Sequence, residues 1–223
     1  MCCRRLKITD DPETKSLKAE PAVKLNAFPV FLRVEGRKVV IIGGGGEALA
    51  KARLLGQSSA TLAVVSDSIE PELAEWIVGN GAVHLDAAYA PAHLEGAVMV
   101  FAATGDPVAD SQVSEDARRL GIAVNAVDRP ELCDFFTPAI VNRAPLAVAI
   151  GTEGAGPVLA QMVRSRIDRM LSPSLGSLAV LANSFREAAE KLVPRGDARR
   201  RFWREFFAGR PERALEAGDG AAA

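Results

Sequence analysis

The run Gly43-Gly44-Gly45-Gly46-Glu47-Ala48 follows the apolar stretch KVVII at 38–42 and precedes a segment of helix length. It fits G-x-G-x-x-A at Gly43, Gly45 and Ala48. Glycines at such a crossing let the chain turn sharply and let a pyrophosphate approach the N–H groups that open a helix, while a small third residue lets helix and strand pack closely. Asp67 stands just past the second apolar run, about 20 residues beyond Gly45, where a carboxylate can accept from ribose hydroxyls. A plain structural turn would account for the glycines alone, but the glycines and Asp67 together predict a dinucleotide site. No Arg or Lys lies between Asp67 and Trp76 to neutralise a 2′-phosphate, so NAD is expected rather than NADP.

A second group closes the apolar run IAVNAV at 122–127, which ends Val124-Asn125-Ala126-Val127-Asp128. Ligands of open α/β sheets bind beyond the carboxyl ends of the strands. Asn125 and Asp128 are therefore placed to face a substrate over a nicotinamide. Equally, Asp128 at this spacing could merely cap the turn before Arg129-Pro130. The Y-x-x-x-K pattern of many nicotinamide enzymes is absent, Tyr89 being the single tyrosine. His84 and His93 are too few and too scattered for a metal cluster and read as packing or surface groups. Cys133 reads as a buried thiol. No metal site is expected.

These residues need a scaffold, and the apolar runs describe one. KVVII (38–42), TLAVV (61–65), AVHL (82–85), AVMVFAA (97–103) and IAVNAV (122–127) are unbroken enough to be strands covered on both faces. Helices are expected at about 46–57, 69–78 and 106–120, the last opened by an Asp106 N-cap with Pro107 in the first helical position. The sum is a doubly wound, Rossmann-type unit over 27–128, with 1–26 as a flexible tail and order beginning near Phe28. Beyond 128, FFTPAIVNRAPLAVAIGT holds two apolar stretches around Asn142-Arg143-Ala144-Pro145, the pattern of an antiparallel pair. From Gly156 onward, Val158, Leu159, Met162, Val163, Ile167, Met170 and Leu171 recur at helical spacing and share one apolar face. Short apolar strands need a partner face, so 129–171 is expected to form a dimerisation region. A helical domain over 172–216 follows, with Phe202/Phe206 and Trp203/Phe207 at i, i+4, and 217–223 is expected to fray. The fold class is thus α/β: a Rossmann-type parallel sheet, then a strand-rich dimerisation region, then a C-terminal helical region.

Composition narrows the partners. With 27 Lys+Arg against 28 Asp+Glu and 48% hydrophobic residues, the 223-residue chain is a folded globular protein. A net charge of -1 gives no field to hold a polyanion, so nucleic acid is excluded as a general partner. The arginine-rich stretch 195–210 reads as a helix with an inward aromatic face and solvated arginines, rather than as a nucleic-acid or membrane surface. Its three cysteines include no CxxC, the start MCCRRLKITDDPETK has no apolar signal-peptide core, and the apolar runs fall far short of the roughly 20 residues of a membrane span. A cytoplasmic protein with free thiols and no membrane span is expected.

The phrases FPVFLRVEGRKVVIIGGGGEALAKARLL, FAATGD, NAVDRPELCDFFTPAIVNRAPLAVAIGTEGAGPVLA and RRRFWREFF, in this order, resemble the precorrin-2 dehydrogenase and sirohydrochlorin ferrochelatase family, the module found in siroheme synthase. The resemblance runs over about 27–216 and rests more on Asn-x-x-Asp, the following F-x-x-P and the small-residue loop than on the glycines. It implies a homodimer with a cleft between its parts, in which precorrin-2 loses a hydride to NAD+ and a proton to give sirohydrochlorin. It also implies Fe2+ as a second substrate, inserted in the same cleft to give siroheme. The aspartate that the family implicates in both reactions matches Asp128, and a carboxylate suits both, taking a proton in oxidation and receiving pyrrole protons as metal enters. By the same resemblance Gly43, Gly45, Gly46, Glu47, Asp67, Ser68 and Thr104 contact the cofactor, and Asn125, Arg143, Thr152 and Gly154 contact the substrate, with the next helix offering N–H groups to tetrapyrrole carboxylates.

Two departures matter. Gly151-Thr152-Glu153-Gly154 stands where the family often has Ser-Ser-x-Gly; Thr152 keeps a hydroxyl where some members are phosphorylated, and Glu153 adds negative charge beside a polyanionic substrate. The length leaves no room for the methyltransferase domain of fused siroheme synthases, so methylation of uroporphyrinogen is expected from another protein. Two alternatives stand beside the bifunctional expectation: a dehydrogenase without chelatase activity, and a non-catalytic NAD-sensing module. The second leaves Asn125, Asp128 and everything after residue 128 without a role.

Overall fold

Five apolar runs become five parallel strands: β1 (Lys38–Ile42), β2 (Thr61–Val65), β3 (Val83–Leu85), β4 (Ala97–Ala102) and β5 (Ala123–Ala126), in the order β3-β2-β1-β4-β5. The computed structural model describes residues 24–218; of the tails expected at 1–26 and 217–223, residues 1–23 and 219–223 lie outside the described residues. Along β1 the side chains alternate between two cores, as a strand's period of two requires. Val40 and Ile42 join Val100, Val113 and Val124 beneath α3 (Pro107–Arg119), whereas Val39 and Ile41 join Leu49, Leu73 and Phe101 beneath α1 (Gly46–Leu55) and α2 (Pro71–Asn80). Burial on both faces explains why these strands read as continuous Val/Ile/Ala rather than as an alternation.

The helix boundaries follow local chemistry. Asp106 caps α3, its carboxylate accepting from the Val108 N–H at 2.8 Å, with Pro107 in the first turn. α2 starts later than expected because Pro71 occupies its first turn, and it runs on to Asn80 before Gly81 turns left-handed at φ 67°.

After β5 the chain forms the antiparallel hairpin β6 (Ala139–Arg143) and β7 (Leu146–Ile150), then α4 (Pro157–Met170), α5 (Leu175–Leu192), α6 (Asp197–Phe207) and α7 (Arg210–Glu216). Gly176, buried at the start of α5, has no side chain for a reason: a Cβ there would stand 2.4 Å from the Ala144 carbonyl oxygen and 2.8 Å from that of Arg143. Its absence lets the hairpin turn lie directly on the helix. On α6 the aromatic face closes on α5, Phe206 lying 6.2 Å from Phe185 between ring centroids, and Arg199 donates to the Val193 carbonyl. Among the described residues no helix is long and apolar enough to cross a membrane.

Candidate active site

The sheet order reverses between β1 and β4, and the glycine turn sits at that switch point, where α/β sheets open a crevice. Gly43 has φ 132°, and a Cβ there would stand 2.0 Å from the Ala103 carbonyl oxygen. Gly44, which the motif treats as an arbitrary residue, is equally constrained: a Cβ would lie 1.8 Å from the Ser68 carbonyl oxygen, and its own carbonyl accepts from the Glu70 N–H at 2.8 Å. These two glycines thus serve close backbone packing. Gly45 and Gly46 are different. A Cβ on Gly45 would meet nothing nearer than the Glu70 carboxylate at 3.3 Å, and one on Gly46 nothing within 4 Å. Gly45 caps α1 without any side-chain bond, so the first N–H groups of the helix are left for an anion, which fits a dinucleotide pyrophosphate.

The loop after β2 reaches this turn. Ser66 Oγ donates to the Ser68 carbonyl at 2.5 Å and accepts from the Ser68 N–H, and His84 Nε2 stands 3.0 Å from the Ser66 carbonyl oxygen. Asp67 and Ser68 are thereby held exposed beside the glycines, as a ribose site requires. Thr104 lies next to Gly43, but its hydroxyl is spoken for: it donates to Asp110 Oδ1 at 2.7 Å and accepts from the Asp106 N–H at 3.1 Å. The Thr104 side chain is thus bonded within its own loop. Asp110 is 1% exposed and paired with Arg129 at 3.3 Å. That buried pair, which locks the β4–α3 loop to the end of β5, has no signal in the sequence spacing.

At the end of β5, Asp128 is exposed and left-handed, with φ 57°. Its carboxylate accepts no hydrogen bond from any described residue, so it caps nothing there. Asn125 behaves otherwise than expected. It is 6% exposed, and its amide donates to the Phe135 carbonyl at 2.9 Å with Cys133 Sγ at 3.4 Å. It fastens the returning chain to β5 instead of facing a substrate. Asp134 adds a second tie, accepting from the Val124 N–H at 3.2 Å and pairing with Arg118 at 3.0 Å. Burial pushes the Cys133 thiol above its ordinary value, which keeps it protonated.

One half-buried cation of the first body carries no sequence signature. Lys51 is half-buried on α1, one turn beyond Glu47, with its Nζ 5.9 Å from the centroid of the Phe101 ring. Burial pushes its ammonium below the usual value, while Asp128, Cys133 and Glu47 act in the opposite direction. Phe101 is in turn met edge-on by Phe135 at 5.4 Å.

The remaining candidates sit on the second body. Arg143 is not available to a substrate: its guanidinium donates to the carbonyls of Asp168 at 3.0 Å and Leu171 at 3.3 Å and pairs with the Asp168 carboxylate at 2.9 Å, closing the C-terminal end of α4. The Thr152 hydroxyl accepts from the Gly156 N–H at 3.3 Å, so it stabilises the entry to α4, and Gly154 is exposed at φ 81°. Glu153 turns away from this loop and accepts from the Asn26 N–H at 2.7 Å, Asn26 Nδ2 at 3.0 Å and the Ala27 N–H at 2.9 Å. Those bonds hold its carboxyl below the usual range. They also anchor Asn26, inside the stretch expected to be a free tail. Among the described residues no group of His, Cys, Asp and Glu is arranged to hold a metal ion.

Comparisons with known proteins converge on the same two bodies. Residues 30–139 match a family described as putative NAD(P)-binding, and 174–223 match one described as the sirohaem synthase dimerisation region. The latter falls on the helical segment, beyond the 129–171 to which the sequence pattern assigns dimerisation. The chain is 44% identical over 185 residues to a siroheme synthase of Azotobacter vinelandii, covering 83% of this chain and 40% of that protein. It is 41% identical over 196 residues to one of Chromobacterium violaceum, covering 88% and 42%. It therefore spans about two fifths of the length of these curated relatives. A solved structure described as SirC, precorrin-2 dehydrogenase, superposes with a TM-score of 0.70 over 80% of this chain and 88% of the other, at 21% identity, which shows a shared fold.

Proposed function

The chain belongs with the siroheme synthase family over the part of those proteins that it spans, and from that premise we propose that it is an NAD-dependent precorrin-2 dehydrogenase. NAD+, when bound, supplies the hydride acceptor. Gly45 and Gly46 leave the α1 N–H groups open to its pyrophosphate, and Asp67 takes its ribose, with no Arg or Lys between Asp67 and Trp76 to favour a 2′-phosphate. The observation that carries the reading is Asp128: an exposed, unpartnered carboxylate on a left-handed turn at the carboxyl end of β5. It takes the proton as the hydride leaves, so that precorrin-2 and NAD+ become sirohydrochlorin, NADH and a proton. A non-catalytic sensor would have no use for that carboxylate.

The same carboxylate suits the second reaction of the expected pair. As Fe2+ enters sirohydrochlorin two pyrrole protons leave, and Asp128 takes them one at a time, passing the first to solvent before it takes the second, without any resident metal site. The protein acts as a homodimer, because α4 exposes Val158, Leu159, Met162 and Met170 along its apolar face. We take both 129–171 and the helices behind it as contributors to the interface. Drawing on an intracellular NAD+ pool, it works in the cytoplasm.

Replacing Asp128 by Asn tests the assignment. Loss of an acid–base group lowers turnover by about a hundredfold to ten-thousandfold, with NAD+ affinity and the melting curve unchanged. Native NADH production by a folded Asp128→Asn protein refutes the role. Loss of oxidation with retained Fe2+ insertion into supplied sirohydrochlorin would leave the dehydrogenase and remove Asp128 from chelation.

A further inference from the structure

Asp128 stands in a tight turn from Ala126 to Arg129, with its backbone in the left-handed region that a residue bearing a side chain seldom adopts. The bond that closes this turn, from the Arg129 N–H to the Ala126 carbonyl, is long at 3.3 Å. A backbone in that region persists only where its surroundings dictate it. The Val127 N–H secures the near side on the Ala102 carbonyl at 2.9 Å, and the Arg129 carbonyl secures the far side by accepting from the Leu132 N–H at 3.0 Å.

The remaining tie is a side chain. Arg129 Nε donates to Asp110 Oδ2 at 3.3 Å, and this is the one bond that the partly buried Arg129 side chain makes to a described residue. Asp110 lies in the first turn of α3 and is almost fully buried. Its other oxygen, Oδ1, accepts from the Thr104 hydroxyl at 2.7 Å and from the Thr104 N–H at 3.2 Å. Thr104 follows Ala103, whose carbonyl lies against Gly43 in the glycine turn. One buried carboxylate thus joins the loop beside the glycine turn to the residue that follows Asp128. As a source of stability alone the pair is a poor choice: taking two charges out of water costs about as much as their attraction returns, and apolar side chains of similar volume would hold the place as well. What the ion pair adds is direction, because a guanidinium meets its partner only along its N–H bonds.

We infer that the Asp110–Arg129 pair positions the proton acceptor: by holding Arg129 from the loop at the end of β4, it fixes the left-handed turn and with it the place from which Asp128 presents its carboxylate to the substrate proton. This rests on the reading of Asp128 as that acceptor. Asp110 and Arg129 are positioning residues, acting through Asp128.

Turnover of precorrin-2 and NAD+ by the full chain, followed as NADH absorbance beside a melting curve, tests it. Arg129→Met leaves the Asp110 carboxylate buried without its cation and so lowers the melting temperature. It also lowers kcat by about tenfold to a hundredfold, the cost of misplacing a reacting group by about an ångström. Adding Asp110→Asn removes the stranded charge and keeps an acceptor for Thr104. The double variant therefore regains most of the melting temperature and none of the kcat, with NAD+ affinity and the KM for precorrin-2 within about twofold of native. In an Asp128→Asn background Arg129→Met still lowers the melting temperature but has no further effect on kcat, since a residue that acts through another loses its influence once that residue is gone. A kcat that returns with the melting temperature makes the pair merely structural and overturns the inference. Native kcat in Arg129→Met overturns it as well, and so does an equal loss of kcat in both backgrounds. A raised KM or a weakened NAD+ affinity at native kcat would make Arg129 a ligand, with the same result. If Arg129→Met alone fails to fold, the double variant is compared directly with the native chain, and native kcat there overturns the inference. Full turnover by Asp128→Asn itself would instead refute the parent reading, so the two failures are distinguishable.

Discussion

The two bodies of this chain bury themselves to different degrees. Between residues 38 and 126 the sheet is enclosed by helices, and two cores take in Val39, Val40, Ile41 and Ile42 from a single strand. Between 139 and 216, among the described residues, the buried apolar side chains are Val141, Ala160, Leu178, Ala182 and Ala189, three of them alanines. Over the same stretch Val158, Met170, Val180 and Leu192 are each at least 60% exposed. The difference teaches that the first body closes its core with its own residues, whereas the second leaves apolar side chains that the described residues do not cover.

The largest test of that contrast is Gly44→Ala. The added methyl group has backbone in its way, so the first body loses about 3 kcal/mol by urea unfolding; Gly45→Ala, facing a flexible side chain, stays within about 1 kcal/mol of native and weakens NAD+ binding instead. Equal stability of the two variants would mean that the glycine crossing is not tightly packed.

Next in size is the second body. Val158→Glu with Met162→Glu places two charges on the apolar face of α4, and sedimentation then reports the 23.6 kDa single chain where the native protein sediments at twice that mass. NAD+ binding persists because the first body is untouched. An unchanged dimer would put the interface elsewhere.

The smallest effect is at Glu153. Its carboxyl titrates below its ordinary value of 4.5 in the folded chain, so the tether to Asn26 and Ala27 is complete above about pH 4.5 and is lost as the pH falls through the lower folded value. The amide resonances of Asn26 and Ala27 should move together with a midpoint under 4.5, and Glu153→Gln should show the released positions at neutral pH with an unaltered melting curve. Resonances that ignore Glu153 would show that the tether contributes nothing.

The strands were legible because burial on both faces leaves little choice but Val, Ile and Ala, and α3 was legible because Asp106-Pro107 is a local start signal. What the sequence placed correctly is position: Gly45 opens α1 without a side-chain cap, and Asp128 stands exposed just past the carboxyl end of β5. The site was illegible where a polar side chain could serve either the chain or a ligand. Asn125 and Arg143 occupy plausible positions, yet both spend their donors on carbonyls that sequence neighbours do not reveal. Gly44 was hidden by a motif that assigns it no role, and Lys51 by the fact that it meets Phe101 only through folding.

The contact between Glu153 and residues 26–27 bears on how the two bodies can swing. The chain passes between them at 136–138, once Phe135 has been tied back to β5 and before the hairpin begins at Ala139. With Glu153 holding Asn26, the stretch leading to β1 makes a second crossing, anchored on the far side where Val34 packs against the sheet. The bodies are thus joined twice, by the covalent stem at 136–138 and by the Glu153 bonds, and releasing Glu153 leaves the stem and whatever packing lies between them.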